Sequence, residues 1–322
     1  MSEPLETSPG SSTRPRASIV IPAFRRTDDL RALLDTLIPE AAAGTHVEVV
    51  VSDDGSGEGV AEVATVYAAR FPRLKYITGE NAGPGVARNR GVAAASSDIL
   101  LFVDSDCLVQ PGWVEGLVRA IEGGATIAFG PTRSPVPWLE PFVHSIFFED
   151  ELIGATNVAF ARRTFEELGG FRANLSFLAE DRDLFTRARA AGHVPLRVAD
   201  SVVNHPPRLK KIRLPSLSGD TRYLRDLRSF YATHPDIREQ DIRANRALLT
   251  KGALKLMVGM TPIGLSAFVV HSLLRRRDVN RCLADAKVGF RVATSDAIKY
   301  GLMQPVNDLL RWAIAAAQMN AI

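Results

Sequence analysis

Three groups of acidic side chains stand where an active site would use carboxylates. Asp53-Asp54 follows the apolar run 47–52, Asp104-Ser105-Asp106 follows the apolar run 98–103, and Glu180-Asp181 precedes a helical pattern. Carboxylates at such positions can bind a divalent cation, accept hydrogen bonds from a nucleoside, or remove a proton from an attacking hydroxyl. The ordinary alternative is structural, because Asp is also common in turns and in the first turn of helices.

The D-x-D tripeptide Asp104-Ser105-Asp106 is the candidate metal site. Paired hard oxygen ligands suit Mg²⁺ or Mn²⁺ bridging to the phosphates of a substrate. His205 closes the short apolar run 202–204 and is a candidate third ligand, although a lone histidine is more often structural. Two carboxylates and one imidazole accept either ion, so the sequence does not choose between Mg²⁺ and Mn²⁺.

The string from Gly83 to Arg88 (G-P-G-V-A-R) is a candidate phosphate-binding segment. Arg88 stands where the G-x-G-x-x-G fingerprint needs its third glycine, and the string follows the third predicted strand, which argues against a dinucleotide site. One turn into a helix whose N-terminus faces a cleft, Arg88 can instead contact a nucleotide or its phosphates.

Alternating strands and helices must position these side chains. Apolar runs predict buried strands at 17–22, 47–52, 74–78 and 98–103, and helical spacing predicts helices at 28–37, 59–70 and 85–95. The alternation predicts an α/β fold with a mostly parallel, doubly wound sheet and helices on both faces. Ligands of such sheets bind at the carboxyl ends of the strands, where the acidic residues stand.

Six segments recur in the order and spacing of one enzyme family. They are I-V-I-P (19–22), V-V-S-D-D-G-S (50–56), N-A-G-P-G-V-A-R-N (81–89), F-V-D-S-D (102–106), the segment from G-A-T-N at 154–157 to G-G-F at 169–171, and A-E-D-R-D-L-F-T-R (179–187). Together they resemble glycosyltransferase family 2 over residues 17–206. The resemblance implies a GT-A fold, a nucleotide-diphosphate sugar donor, a divalent cation and inversion at the anomeric carbon.

The resemblance also implies a role for each matching residue. Pro22, Ala23, Asp54 and Asp53 would hold the base and ribose, with Arg88 near the nucleotide and Asn157 near the donor sugar or the acceptor. Asp104 and Asp106 would carry the cation, and His205 matches a position that completes the metal site in some relatives. Asp181 would be the general base, with Glu180 as the alternative.

The expected reaction is transfer of a single sugar to a hydroxyl on a lipid-linked, glycan or small-molecule acceptor by direct displacement. A sugar-nucleotide pyrophosphorylase would need a glycine-rich loop after the first strand, where this chain has Ala23-Phe24-Arg25-Arg26. A catalytically silent nucleotide-sugar-binding scaffold is the second alternative, although it predicts loss of carboxylates that are all present. The Q-x-x-R-W motif of processive relatives does not follow the E-D region. The sequence does not indicate the sugar, the base or the acceptor.

Composition and cysteine content limit the class of protein. The 322 residues are 46% hydrophobic and 23% charged, which excludes a disordered or collagen-like chain. Cys107 and Cys282 lie far apart, so we expect no disulfide framework and a cytoplasmic setting. We expect a disordered tail at 1–16 that lacks the apolar core of a signal peptide, and a catalytic domain at 17–207. That domain would divide into a nucleotide-sugar half at 17–110 and an acceptor half at 111–207.

The region 208–322 is predicted to be helical and basic. From Pro207 onward 20 Lys and Arg stand against 9 Asp and Glu, a net charge of +11 that leaves −8 in the rest of the chain. The apolar stretch 253–274 is interrupted by charge, Gly and Pro, and Arg275-Arg276-Arg277 follows it. We expect peripheral association with an anionic inner membrane face. The alternatives are a buried helical hairpin, a wall of the acceptor pocket or an oligomer contact. We expect no nucleic acid, because aromatic residues are not interleaved with the basic ones.

Overall fold

The computed structural model describes residues 14–42, 46–134, 143–144, 154–175, 179–209, 225–226, 228–241 and 243, with a few helical residues between 269 and 295. The strands are β1 (Ala17–Ala23), β2 (Val47–Asp53), β3 (Leu74–Thr78), β4 (Ile99–Val103), β5 (Leu108–Val109), β6 (Ile127–Phe129), β7 (Thr132–Arg133), β8 (Val143–His144), β9 (Asn157–Ala161), β10 (Leu196–Arg197), β11 (Val203–Asn204) and β12 (Arg208–Leu209). The helices are α1 (Thr27–Ala42), α2 (Glu58–Tyr67), α3 (Pro84–Ala94), α4 (Trp113–Glu122), α5 (Arg162–Glu167) and α6 (Glu180–Ala190).

A seven-stranded sheet forms the centre of the fold, in the order β10-β6-β9-β4-β1-β2-β3. The strands β4, β1, β2 and β3 pair in parallel, as their helical crossovers require. β9 is inserted antiparallel between β4 and β6, so the sheet is mostly but not wholly parallel. The parallel part places the carboxyl ends of β1, β2 and β4 side by side.

Helices cover both faces of this sheet. On one face α1, α2 and α4 pack against alternate side chains such as Ile19 and Val49, which are fully buried. On the other face α3, α5 and α6 pack on Val20 and an aromatic cluster around Phe102. Burial on both sides explains why the central strands read as continuous apolar runs in the sequence.

The predicted fold class is confirmed, and all seven predicted elements of the first half are present. Helix α1 continues to Ala42 with Pro39 inside it, whereas α2 ends at Tyr67, three residues before the predicted end. The predicted tail extended too far, because Arg14 and Arg16 are held on the domain. The Arg14 guanidinium pairs with Asp98, and Arg16 pairs with Glu115 and Glu122.

Part of the predicted C-terminal helical region can be compared with the structure. Residues 225–226, 228–233 and 235–241 are helical, and so are a few described residues within 269–295. The start of the region, Arg208–Leu209, is the strand β12 and not helix, because it pairs with β8. Most of the remaining residues of 208–322 lie outside the described residues. Among the residues the structure describes, no helix is long and apolar enough to cross a membrane.

Candidate functional site

A cleft of about 460 Å³ opens at the carboxyl ends of β1 and β4, beside the start of α3. Its walls include seven of the residues selected from the sequence, namely Pro22, Ala23, Asp54, Arg88, Asp104, Asp106 and Glu180. The remaining four selected residues, Asp53, Asn157, Asp181 and His205, are not among its lining residues. The sheet edge therefore brings together most of the predicted site.

Asp54 fixes the shape of one end of the cleft. Its backbone N–H donates to the Ala23 carbonyl at 2.8 Å, and its carboxylate accepts from the backbone N–H groups of Ala82 and Gly83 at 3.1 and 2.9 Å. The Asn81 amide donates to the same carboxylate at 3.1 Å. Asp54 therefore connects the end of β2 to the loop from which α3 begins.

Asp53 makes all of its described contacts inside the protein. Its side chain is fully buried, and one carboxylate oxygen accepts from the Ser56 N–H at 3.0 Å and from the Ser56 hydroxyl. The other oxygen accepts from the Tyr76 hydroxyl at 2.9 Å. Asp53 thus closes the turn after β2.

Asn157 likewise makes its hydrogen bonds inside the protein. The Trp113 indole N–H donates to its amide oxygen at 2.8 Å, and its amide nitrogen donates to the carbonyls of Pro131 and Ser201 at 3.0 and 2.9 Å. The side chain is buried and uses both its donors and its acceptor inside the protein. It ties the start of β9 to α4 and to the chain before β11.

Arg88 is the buried cation at the centre of the cleft. Its guanidinium donates to Asp104 at 2.7 Å and to Glu180 at 3.3 Å, and it lies 5.3 Å from the centre of the Phe171 ring. Burial would lower the pKa of Arg88, but the charges of Asp104 and Glu180 outweigh it and raise the pKa, so the group stays charged. The second oxygen of Asp104 accepts from the Thr156 hydroxyl at 3.0 Å.

Asp106 is surrounded by three basic side chains. Arg26 pairs with its carboxylate, and His205 Nε2 and the Arg208 guanidinium lie 3.5 and 3.6 Å from the same oxygen. Burial would raise the pKa of Asp106, but the hydrogen bond and charge of His205, with the charges of Arg26 and Arg208, hold it well below its usual range. Asp106 is therefore an anion at neutral pH.

A short antiparallel pairing brings His205 to the D-x-D loop. β5 directly follows that loop, and it pairs with β11 so that Leu108 lies opposite Asn204. Ligand atoms of Asp106, His205 and Cys107 all lie within 4.8 Å of one another. The carboxylate and imidazole suit Mg²⁺ or Mn²⁺, so the residues fit the predicted cation, whereas burial raises the pKa of the Cys107 thiol and keeps it protonated.

Glu180 and Asp181 open helix α6 and have unlike surroundings. Glu180 lines the cleft, and in the described part of the chain one of its carboxylate oxygens has no hydrogen-bond partner. Burial raises the pKa of Glu180 against the opposing charge of Arg88. Asp181 accepts from the Arg182 N–H at 2.7 Å, and burial likewise raises its pKa while Arg88 opposes the shift.

Sequence reasoning did not select several residues that border the cleft. Phe24 and Arg26 line it and come directly after β1, so the rule that ligands bind beyond strand ends would have found them. Arg208 pairs with Asp29 at 2.7 Å as well as approaching Asp106, and no local pattern marks it.

Comparison with known proteins supports the family interpretation. Residues 18–170, just under half of the chain, match the family described as glycosyl transferase family 2. Validoxylamine A glucosyltransferase of Streptomyces hygroscopicus subsp. limoneus is 36% identical over 146 residues, which cover 42% of this chain and 32% of that protein. The first curated relatives are matched over 33%, 38% and 32% of their length, so the chain spans about a third of each.

Solved structures show the same fold at low sequence identity. Staphylococcus aureus TarS 1–349 in complex with UDP-GlcNAc has a TM-score of 0.55 at 17% identity, over 90% of this chain and 91% of that one. GalNAc-T7 with UDP, GalNAc and Mn²⁺ has a TM-score of 0.53 at 18% identity, over 70% and 51%. The resemblance to glycosyltransferase family 2 is confirmed, and the fold is of the GT-A type.

Proposed function

We propose that this chain is an inverting glycosyltransferase that moves one sugar from a nucleotide-diphosphate sugar to a hydroxyl acceptor, in glycan or cell-envelope biosynthesis. The observation that carries the proposal is the cleft at the sheet edge. It collects the D-x-D carboxylates, the buried cation Arg88 and the acidic start of α6, all close to or within the region that matches the family.

The donor would lie in the cleft with its nucleoside toward Pro22, Ala23 and Asp54. A volume of about 460 Å³ is in the range of small-molecule and cofactor sites. Asp54 is rigid because backbone N–H groups hold it, and a fixed acceptor can select a base or ribose without losing conformational entropy on binding. TarS and GalNAc-T7, which share the fold, were solved with UDP-GlcNAc and with UDP, respectively.

Asp106, His205 and Asp104 would hold a divalent cation, as the Mn²⁺ in GalNAc-T7 suggests for this fold. When bound, such a cation offsets the negative charge that grows on the leaving diphosphate. Arg88 would act on the same side of the reaction, since its charge is fixed between Asp104 and Glu180. The donor set accepts both Mg²⁺ and Mn²⁺.

Asp181 would remove the proton from the acceptor hydroxyl. As that oxygen attacks the anomeric carbon, the bond to the diphosphate breaks and the proton passes to the Asp181 carboxylate, so one displacement inverts the centre. A raised pKa makes Asp181 a stronger base than an exposed aspartate. Glu180 would hold Arg88 in place through their ion pair.

The acceptor and the cellular position follow from the basic C-terminal region. Its net charge of +11 favours an anionic surface, so we place the enzyme peripherally on the inner membrane face, where a lipid-linked acceptor is found. This placement rests on charge and on the apolar stretch 253–274 alone.

Thermal unfolding with UDP-, GDP-, dTDP- and CDP-sugars, each with Mn²⁺ or with a chelator, tests the donor site. At about 100 times its dissociation constant, the correct donor should stabilise the fold by about 2.7 kcal/mol in the presence of Mn²⁺ only. Asp106→Ala should abolish this gain. Asp98→Ala is the matched control, because Asp98 precedes β4 at the opposite sheet edge and its side chain is 68% exposed.

Stabilisation by no nucleotide class would contradict the proposal and favour a scaffold that has lost its donor. Equal stabilisation in chelator, or in Asp106→Ala, would contradict the assignment of the cation site.

A further inference from the structure

We propose that the C-terminal segment 228–241 positions the start of helix α6, with Arg182, Tyr231 and Asp241 as positioning residues for Asp181. The expected effect on kcat rests on the function proposed above, whereas the expected ordering of the first turn of α6 does not depend on that function. The inference gives part of the region 208–322 a role in positioning a residue of the proposed active site.

The first observation is a core contact made by Phe230. This side chain is fully buried and packs with Leu175 and Ala179, which precede α6 in the chain. Segment 228–241 therefore packs against the residues that precede Glu180 and Asp181 in the chain.

The second observation is a polar cluster around Arg182, the residue that follows Asp181. The Arg182 guanidinium pairs with Asp241 at 2.9 Å and lies 4.9 Å from the centre of the Phe230 ring. The Tyr231 hydroxyl donates to Asp241 at 2.6 Å. Burial would raise the pKa of Asp241, but its hydrogen bonds from Arg182 and Tyr231 hold the pKa below its ordinary value. The pair is thus formed with both groups charged.

The third observation concerns Asp183, two residues after Asp181. Its fully buried carboxylate is 2.8 Å from His234 Nε2, and it also accepts from Arg172 at 3.0 Å and from Arg187 at 2.8 Å. His234 stands between the helical stretches 228–233 and 235–241. Segment 228–241 therefore contacts both residues that follow Asp181 in the first turn of α6.

These contacts hold the first turn of a helix whose N-cap residue has no capping side chain. Ala179 occupies the N-cap position of α6 and makes no side-chain hydrogen bond to the first turn. An uncapped first turn frays readily, and a displacement of about 1 Å in a reacting group can cost about 100-fold in rate. Segment 228–241 contacts Ala179 before Asp181 and both Arg182 and Asp183 after it, and these contacts together hold the backbone of Asp181 in one place.

The experiment compares Asp241→Asn and Tyr231→Phe with Glu239→Gln in the full chain. Asp241→Asn removes the charge that holds Arg182 and keeps the size of the side chain. Glu239→Gln is the matched control, because Glu239 lies on the same helical stretch and pairs with Arg243 at the surface, the two side chains being 68% and 73% exposed. Three quantities are measured: donor affinity with Mn²⁺, the rate of nucleoside diphosphate release with water replacing the acceptor, and hydrogen exchange of the amides at 180–184.

We expect Asp241→Asn to speed exchange at 180–184 at least tenfold and to lower kcat at least tenfold. Donor affinity should stay within about twofold, because the ion pair with Arg88 holds the Glu180 side chain independently of Asp241. Tyr231→Phe should show the same pattern more weakly, and Asp241→Glu should restore most of kcat. Glu239→Gln should change none of the three quantities.

Unchanged exchange at 180–184 in both variants would overturn the positioning role, whatever the activity. A parallel loss of donor affinity, kcat and melting temperature would also overturn it, since that pattern belongs to general destabilisation. If the wild type binds and cleaves no donor, the proposed function fails, while faster exchange in Asp241→Asn would still support the positioning of α6.

Discussion

Glu180 and Asp181 are adjacent acids, yet their contacts assign them different tasks. Glu180 pairs with Arg88 and lines the cleft, whereas Asp181 lies one residue further along α6 and is not among the lining residues. We expect Asp181→Asn to lower kcat about 10²- to 10⁴-fold with donor affinity unchanged, because it removes only the base. Glu180→Gln should instead weaken donor binding, because it releases Arg88. Calorimetric titration and turnover of both variants separate the effects, and the reverse pattern would make Glu180 the base.

The pH dependence of turnover reports on the same base. In the proposed mechanism Asp181 acts deprotonated, and burial favours its neutral form more than Arg88 opposes it, so its pKa is raised. The rate should therefore fall with decreasing pH through a value above the ordinary aspartate pKa of about 3.9. A pH profile of kcat measures this limb, and Asp181→Asn should remove it. A limb at or below the ordinary aspartate range would show that another group is titrating.

Arg26 would compete with the proposed cation for Asp106. The two side chains form an ion pair, and Arg26 is 41% exposed, so the pair is worth at most about 1 kcal/mol. We expect Arg26→Ala to tighten Mn²⁺ binding about twofold to fivefold without nucleotide, measured by calorimetry. Arg25→Ala is the control, since Arg25 stacks on Phe24. Weaker Mn²⁺ binding by Arg26→Ala would mean that Arg26 supports the site instead of competing for it.

The elements that carry the cleft differ in how well the sequence predicts them. β1, β2 and β4 are largely apolar runs, and the apolar residues of α1 have helical spacing. The local pattern of the sequence is therefore sufficient to predict these strands and this helix. β5 and β11 have two residues each, which is too short to show any period. Their pairing places His205 beside Asp106, so that contact had to come from the family resemblance. The internal roles of Asp53 and Asn157 were likewise invisible, because their partners are remote in the sequence.

Helix α3 packs closely on the sheet at Gly91, which has no side chain. A Cβ added at Gly91 would overlap Val20 Cγ1 on β1, so Gly91→Ala must push the helix outward. We expect a loss of about 1–3 kcal/mol in unfolding free energy and weaker donor binding, since Arg88 lies one turn away on the same helix. Ala93→Gly is the control, because Ala93 is exposed and the change costs about 1 kcal/mol by helix propensity alone. Equal donor affinity in the two variants would show that α3 does not transmit the shift to Arg88.

For the whole molecule, the asymmetry of charge along the chain could be predicted from the composition of the sequence. The packing of segment 228–241 could not be predicted in this way. The +11 and −8 portions follow from counting residues. By contrast, Phe230 and His234 meet Ala179 and Asp183 across about fifty residues, and no periodicity marks such pairs. The predicted boundary at 207–208 therefore separates regions of different charge but not independent units, since segment 228–241 packs on the catalytic domain.

The basic region should bind anionic membranes by a mechanism that salt weakens. Each Lys or Arg near an anionic surface contributes about 1 kcal/mol, so Arg275→Gln, Arg276→Gln and Arg277→Gln together should weaken binding about 100-fold. Sedimentation with phosphatidylglycerol vesicles at low salt measures this, with phosphatidylcholine vesicles for comparison. The matched control neutralises Arg119, Arg163 and Arg189, which carry the same total charge and are exposed on the catalytic domain. If the wild type stays in the supernatant with anionic vesicles, the basic charge serves a protein or acceptor surface, and the acceptor must then reach the cleft from solution.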